Sequence, residues 1–265
     1  VSTDSITPPT STSLGPATDA PIVVLVHGAW HGAWCWVSLQ AALERRGVAS
    51  LAIDLPGHGT STDQLTGLHG DAAHVRRVLD LLAARSTRPI VLVGHSYGGA
   101  VITQAAAGRD DIAHLLYVAA FALDAGESVL GALGSFEPHE VDLAAAMIPT
   151  DDGTATVLDH ATAAGALYNE CPPEAVAAAL PRLTPQPIQT LTEPVDGSPR
   201  HKVESTYVWC GRDRAIHPVH QAAMAQRCTH RIDLDTDHSP FVSAVGDMAD
   251  IVAHITDHIA ASVAT

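Results

Sequence analysis

The run Ile90-Val91-Leu92-Val93-Gly94-His95-Ser96-Tyr97-Gly98-Gly99 joins an apolar strand to a helix of small residues through a turn of the form G-x-S-x-G. The motif alone is a weak signal. The strand before it and the helix after it make the turn a nucleophile elbow. Such a turn is so tight that side chains at Gly94 and Gly98 would strike neighbouring backbone, and it lifts the Ser96 hydroxyl above the sheet. Outward from it the chain alternates. Ile22 to Val26 is a β-branched run ending at His27-Gly28, and residues 35–46 follow as a helix closed by Gly47. Val48 to Leu55, 114–120, 205–210 and 230–234 read as further strands, and 71–84, 98–107, 218–227 and 243–261 as further helices. This alternation predicts an α/β fold, a mostly parallel sheet with right-handed crossovers and helices on both faces.

Residues 122–200 break the alternation. They hold many prolines and amphipathic pieces at 155–168 and 174–180, and no convincing buried strand. The expected organisation is a core of residues 21–121 and 201–265 with a helical cap, 122–200, inserted between two strands. The cap would sit over the strand ends, where open α/β sheets bind ligands. Residues 1–20, rich in Ser, Thr and Pro, read as a flexible tail; the chain opens at Val1, so a removed leader stays open.

Composition narrows the function classes. Hydrophobic residues at 46% and charged residues at 16% describe a globular chain with a buried core. Fourteen Lys plus Arg against 29 Asp plus Glu, with Lys202 the only lysine, leave no basic stripe to neutralise phosphates, which argues against nucleic acid and anionic membranes as partners. No apolar run approaches the roughly 18–20 residues that span a bilayer. The four cysteines form no C-x-x-C pair, so free thiols are expected and no metal site; Cys210 and Cys228 are the pair to join in an oxidising compartment. The expected location is the cytoplasm, with the periplasm or secretion left open.

A serine hydroxyl needs a neutral imidazole to take its proton. His238, in Asp235-Thr236-Asp237-His238-Ser239-Pro240 after the last strand, stands where the order Ser, acid, His places that base. His27 and His95 are expected to shape the oxyanion region and His58 to fix a loop. The acid that orients the base is expected at Asp213, two residues beyond the 205–210 strand, with Asp124 as the rival; Asp235 and Asp237 are expected to shape the turn. Oxyanion donors are expected from the backbone N–H of Tyr97 and of Ala29 in His27-Gly28-Ala29-Trp30. Trp34 and Trp36 are expected to pack. Substrate contact is expected from Trp30, His31, His95 and Phe121 near strand ends, and from Leu130, Phe136, Leu167 and Tyr168 in an apolar pocket under the lobe, with Leu133, Met147 and Ile148 nearby.

The runs V-L-V-H-G-A-W-H-G-A-W-C-W, V-L-V-G-H-S-Y-G-G, Y-V-A-A-F, Y-V-W-C-G-R-D and D-H-S-P-F together resemble the α/β-hydrolase superfamily. Within it the chain most resembles the small-cap branch of plant methylesterases, salicylate-binding methylesterases and hydroxynitrile lyases, and its bacterial esterase-like members. The resemblance covers residues 22–260 and is weak in 122–200. It implies a hydrolase without cofactor or metal, about six strands, a triad of Ser96, Asp213 and His238, and oxyanion donors at Ala29 and Tyr97. Lyases of the branch carry lysine directly after the catalytic histidine; here that place is Ser239. The leading expectation is therefore a carboxylic-ester hydrolase working on a small-molecule ester and water through an acyl-enzyme. Hydroxynitrile lyase, lactone or C–C bond hydrolase, and slow-turnover small-molecule receptor are the alternatives, and a homodimer is compatible with all of them.

Overall fold

The computed structural model describes residues 20–263. The expected tail therefore lies outside the described residues except for Ala20. In chain order the first part runs β1 (Ile22–Val26), α1 (Val37–Arg45), β2 (Ser50–Ile53), α2 (Leu68–Ala83), β3 (Ile90–His95), α3 (Gly98–Ala106) and β4 (Ile112–Val118). The inserted segment contributes α4 (Val129–Ser135), α5 (Asp142–Ala146), β5 (Met147–Pro149), β6 (Ala155–Leu158), α6 (His160–Leu167), α7 (Pro173–Ala179), β7 (Gln186–Pro187) and α8 (Gln189–Thr192). The chain then returns through β8 (Ser205–Cys210), α9 (Pro218–Ala225), β9 (His230–Leu234), α10 (Pro240–Ser243) and α11 (Val245–Val263).

Six strands form one sheet in the order β2-β1-β3-β4-β8-β9, every neighbouring pair parallel. β1, β3 and β4 are β-branched or leucine-rich because residues facing either side are buried, whereas edge strand β2 is only partly buried. Val24, Leu92 and Leu115 enter the core beneath α2, α3 and α9, while Val23, Leu25, Val91 and Leu116 enter the core beneath α1 and α11. After β2 the chain crosses back over β1 to place β3 on its other side. The strand order thus reverses between β1 and β3, and such a switch point opens a crevice at the carboxyl ends of the strands. The turn after β1 and the turn after β3 meet there.

The inserted segment departs from a purely helical lobe. β5, β6 and β7 make a three-stranded antiparallel ribbon. The piece expected as one helix over 155–168 is a strand and then a helix. Thr156 and Val157, stiff at χ1, pair with β5 and β7, and the Asp159 carboxylate caps α6 by accepting from Thr162 N–H at 2.9 Å. Among the described residues no helix is long and apolar enough to cross a membrane, and the four cysteines are free.

Two features at the start of α3 generate tests. A Cβ on Gly98 would lie 2.6 Å from the Val26 carbonyl oxygen and 2.7 Å from that of His27. Gly98→Ala should destabilise the fold by about 1–3 kcal/mol, the usual cost of overpacking, read as a lower urea midpoint at unchanged slope. An unchanged midpoint would contradict the close approach.

The second is a buried carboxyl. Asp71 on α2 accepts from Thr66 Oγ1 and from the Tyr97 hydroxyl, each at 2.6 Å. Burial pushes its pKa up to about 7 despite those two bonds, and Glu193 adds to the rise. The folded carboxyl therefore holds its proton to higher pH than the unfolded one, so its contribution to stability is lost as pH rises from about 4 to 7. Relative to wild type, Asp71→Asn should gain urea resistance between pH 5 and pH 8. A difference between the two proteins that does not move with pH would refute the shifted ionisation.

Candidate active site

Ser96 occupies the turn between β3 and α3 with φ 53°, a left-handed conformation that costs a non-glycine residue roughly 1–2 kcal/mol. The surroundings hold it there. Its N–H donates to Val118 O at 3.2 Å, and its carbonyl accepts from Gly99 N–H at 3.0 Å and Phe121 N–H at 3.1 Å. Glycine at 94 and 98 is a steric requirement, since a Cβ on Gly94 would meet Gly98 O at 2.5 Å. The serine is 7% exposed, at the mouth of the switch-point crevice.

The loops after β8 and β9 bring Asp213 and His238 together. His238 Nδ1 lies 2.7 Å from Asp213 Oδ2, both side chains shut off from solvent. A carboxylate only accepts, so Nδ1 carries the proton and Nε2 keeps a lone pair. The carboxylate is fastened on every side: Oδ1 accepts from Ala215 N–H at 2.7 Å and Ile216 N–H at 2.9 Å, and Oδ2 from Gln221 Nε2 at 2.7 Å. Gln221, on α9, also accepts from Cys210 N–H at 3.0 Å and so ties the acid to the end of β8. His95 Nε2 donates to the His238 carbonyl at 2.8 Å, with the two rings 4.5 Å apart. It supports the histidine loop from behind.

Asp124 has a different partner. Its Oδ1 accepts from Arg200 at 2.6 Å, and that guanidinium, buried, also donates to Leu123 O at 2.7 Å. Asp235 pairs with Arg212 at the surface. Asp237 is wholly buried and accepts from Ser239 N–H at 3.0 Å, Ser243 Oγ at 2.7 Å and Glu170 N–H at 2.8 Å, so it shapes the histidine turn and also anchors the lobe.

Ala29 and Tyr97 sit in the two turns that meet at the switch point, and among the described residues no protein acceptor takes their backbone N–H. His27 braces the first turn: Leu55 N–H donates to its Nε2 at 3.1 Å, leaving Nδ1 to donate to Gly28 O at 2.8 Å. His58 Nδ1 lies 2.7 Å from Thr184 Oγ1 and links its loop to the lobe. Burial lowers the pKa of His31 and of His58 to about 4, and pushes those of His27 and His95 well below the usual value, so these rings are neutral near pH 7. No group of three or more His, Cys, Asp or Glu among the described residues is arranged to hold a metal.

The residues expected to touch substrate divide into two sets. Trp30, His31, Phe121, Leu167 and Tyr168 are buried around the two turns, His31 and Tyr168 in a 2.6 Å hydrogen bond. Leu130 is 48% exposed on α4, and Phe136 stacks on His220 with the Arg227 guanidinium over its ring, on the α9 flank of the lobe. Trp36 packs on Phe241 at 4.6 Å, while Trp34 lies between His31 and Arg182. Gln221, Gln186 and the tie from Asp237 to the lobe leave no signal in the sequence, because a polar side chain that anchors a distant loop shows neither motif nor spacing along the chain.

Comparison with known proteins identifies the family and supports the fold. A model of the alpha/beta hydrolase family matches residues 23–253. A carbendazim hydrolyzing esterase of Nocardioides sp. is 41% identical over 123 residues, covering 44% of this chain and 49% of the relative. Methylesterase 17 of Arabidopsis thaliana is 26% identical over 246 residues, 87% of this chain and 89% of the relative. A solved pyrethroid hydrolase from Sphingobium faniae JZ-2 superposes with TM-score 0.78 at 23% identity, over 89% of this chain and 97% of that one, which supports the fold. The chain belongs to the alpha/beta hydrolase family.

Proposed function

We propose that the protein cleaves carboxylic esters of small to medium apolar molecules through an acyl-enzyme on Ser96. The observation that carries the reading is the buried His238–Asp213 hydrogen bond, which leaves Nε2 free to act as a base at the carboxyl edge of the sheet, where the turn after β3 presents Ser96. His238 Nε2 takes the Ser96 proton as Oγ attacks the carbonyl carbon. The tetrahedral oxyanion accepts from Ala29 N–H and Tyr97 N–H, each such donor being typically worth about 10²–10³ in rate. His238 then protonates the departing alcohol, and water, deprotonated by the same nitrogen, releases the acid. Asp213 keeps the ring in the required tautomer and stabilises the imidazolium. The relatives' names, methylesterase, carbendazim hydrolyzing esterase and pyrethroid hydrolase, support a small-molecule substrate. The apolar residues buried beneath the lobe favour a hydrophobic acyl or alcohol group.

Three substitutions test the roles with a short-chain aryl ester. Ser96→Ala should lower kcat by about 10⁶ with the fold intact, since residues that act as a unit lose nearly everything together; retention of a tenth of the activity would overturn the mechanism.

Asp213→Asn should cost about 10⁴ in kcat through the wrong histidine tautomer. Asp124→Asn should instead lower the urea midpoint and spare kcat, because it weakens the partner of a buried guanidinium. The reverse ranking in kcat would move the acid to Asp124.

A further inference from the structure

The turn after β1 holds a residue in a conformation that its side chain disfavours. His31 N–H donates to Gly28 O at 3.3 Å and closes the turn Gly28-Ala29-Trp30-His31, in whose third position Trp30 has φ 62°. A positive φ there marks a type II turn, which ordinarily places glycine or asparagine at that position; rotation of the central peptide gives a type I turn, which accepts most residues. Both ends of the central Ala29–Trp30 peptide are held. Its N–H donates to Gln186 Oε1 at 2.9 Å. Its carbonyl accepts from His31 Nδ1 at 2.7 Å, and the neutral ring therefore accepts at Nε2 from the Tyr168 hydroxyl, 2.6 Å away. Gln186 and Tyr168 are buried, and both belong to the inserted lobe. The same ribbon adds further ties: the Trp30 indole N–H lies 3.1 Å from Thr156 O and from Thr156 Oγ1, and Trp30 O accepts from Thr184 N–H at 2.9 Å.

We propose that Gln186 and Tyr168 are positioning residues for ester hydrolysis. They fix the two ends of the Ala29–Trp30 peptide, and with it the place of the turn, and so hold the preceding N–H, that of Ala29, within reach of the substrate oxyanion. This rests on the roles of Ser96 and Ala29 proposed above and gives the lobe a part in stabilising the transition state as well as in shaping the pocket. Types I and II share φ at the second residue, so rotation of the central peptide does not itself turn the Ala29 N–H; without the acceptor on Gln186 the relaxing turn shifts as a body relative to Tyr97, and the donor moves off the oxyanion.

The test measures kcat and KM for a short-chain aryl ester, and the affinity of an aryl trifluoromethyl ketone, whose adduct with Ser96 carries the oxyanion. Loss of one donor typically costs about 10²–10³, so Gln186→Leu should lower kcat by about 10- to 100-fold with KM nearly unchanged, and weaken the ketone in proportion. Tyr168→Phe should act on the same quantities by a smaller factor. Glycine takes positive φ unaided, so in a Trp30→Gly background the Gln186→Leu change should cost about threefold or less. A raised KM with intact kcat, or the same loss in both backgrounds, would overturn the proposal. Should Gln186→Leu fail to fold, Tyr168→Phe decides, since it removes one hydroxyl: unchanged kcat and ketone affinity would refute it. Labelling with a fluorophosphonate separates the two readings. A wild type that takes no label at Ser96 removes the acyl-enzyme and this inference with it. Full labelling with kcat unaffected by Gln186→Leu removes the positioning role alone.

Discussion

Gly98 begins α3 against the end of β1, so close that a Cβ would collide with the carbonyl oxygens of Val26 and His27. That approach brings the turn after β3 and the turn after β1 to one point, at the reversal of strand order. A larger residue would push α3 away from β1 and separate Ser96 and Tyr97 from Ala29. Ser96 and Trp30, in the two turns so joined, both hold left-handed backbone. Each costs roughly 1–3 kcal/mol, and each persists because strands buried on both faces and hydrogen bonds to neighbouring loops leave the turn nowhere else to go.

The histidines show how burial separates scaffold from chemistry. His27, His31 and His95 line the same crevice as His238, and burial keeps all three neutral. Each donates to a backbone carbonyl, of Gly28, Ala29 and His238 in turn. These rings act as rigid braces between loops. Among the described residues His238 is the buried histidine paired directly with a carboxylate, the arrangement that the proposed proton transfer requires.

The lobe is wired into every loop of the site. Its ribbon grips Trp30, Tyr168 reaches His31, Asn169 donates to Arg212 O beside Asp213, and Glu170 N–H donates to Asp237 beside His238. The four consecutive residues Tyr168, Asn169, Glu170 and Cys171 therefore touch the turn after β1, the loop after β8 and the loop after β9. A change in the lobe made to alter substrate range is expected to reach turnover as well, through these same contacts.

The six parallel strands, their helices and the elbow could be read along the chain, because each is written as a local pattern. A run of β-branched residues, a glycine spaced four from another and an apolar helical stripe record what their own segment must bury or bend. The pair Asp213 and His238 could be placed from strand ends for the same reason. The ribbon within 122–200 could not, since Gln186 becomes strand only by pairing with Thr156 across 29 residues of intervening chain. The partner of Asp124, the anchoring of Asp213 by Gln221 and the grip of Gln186 on Trp30 likewise emerge only when distant segments meet. A single polar side chain leaves no periodic trace, and the packing of the folded chain alone selects which donor it finds.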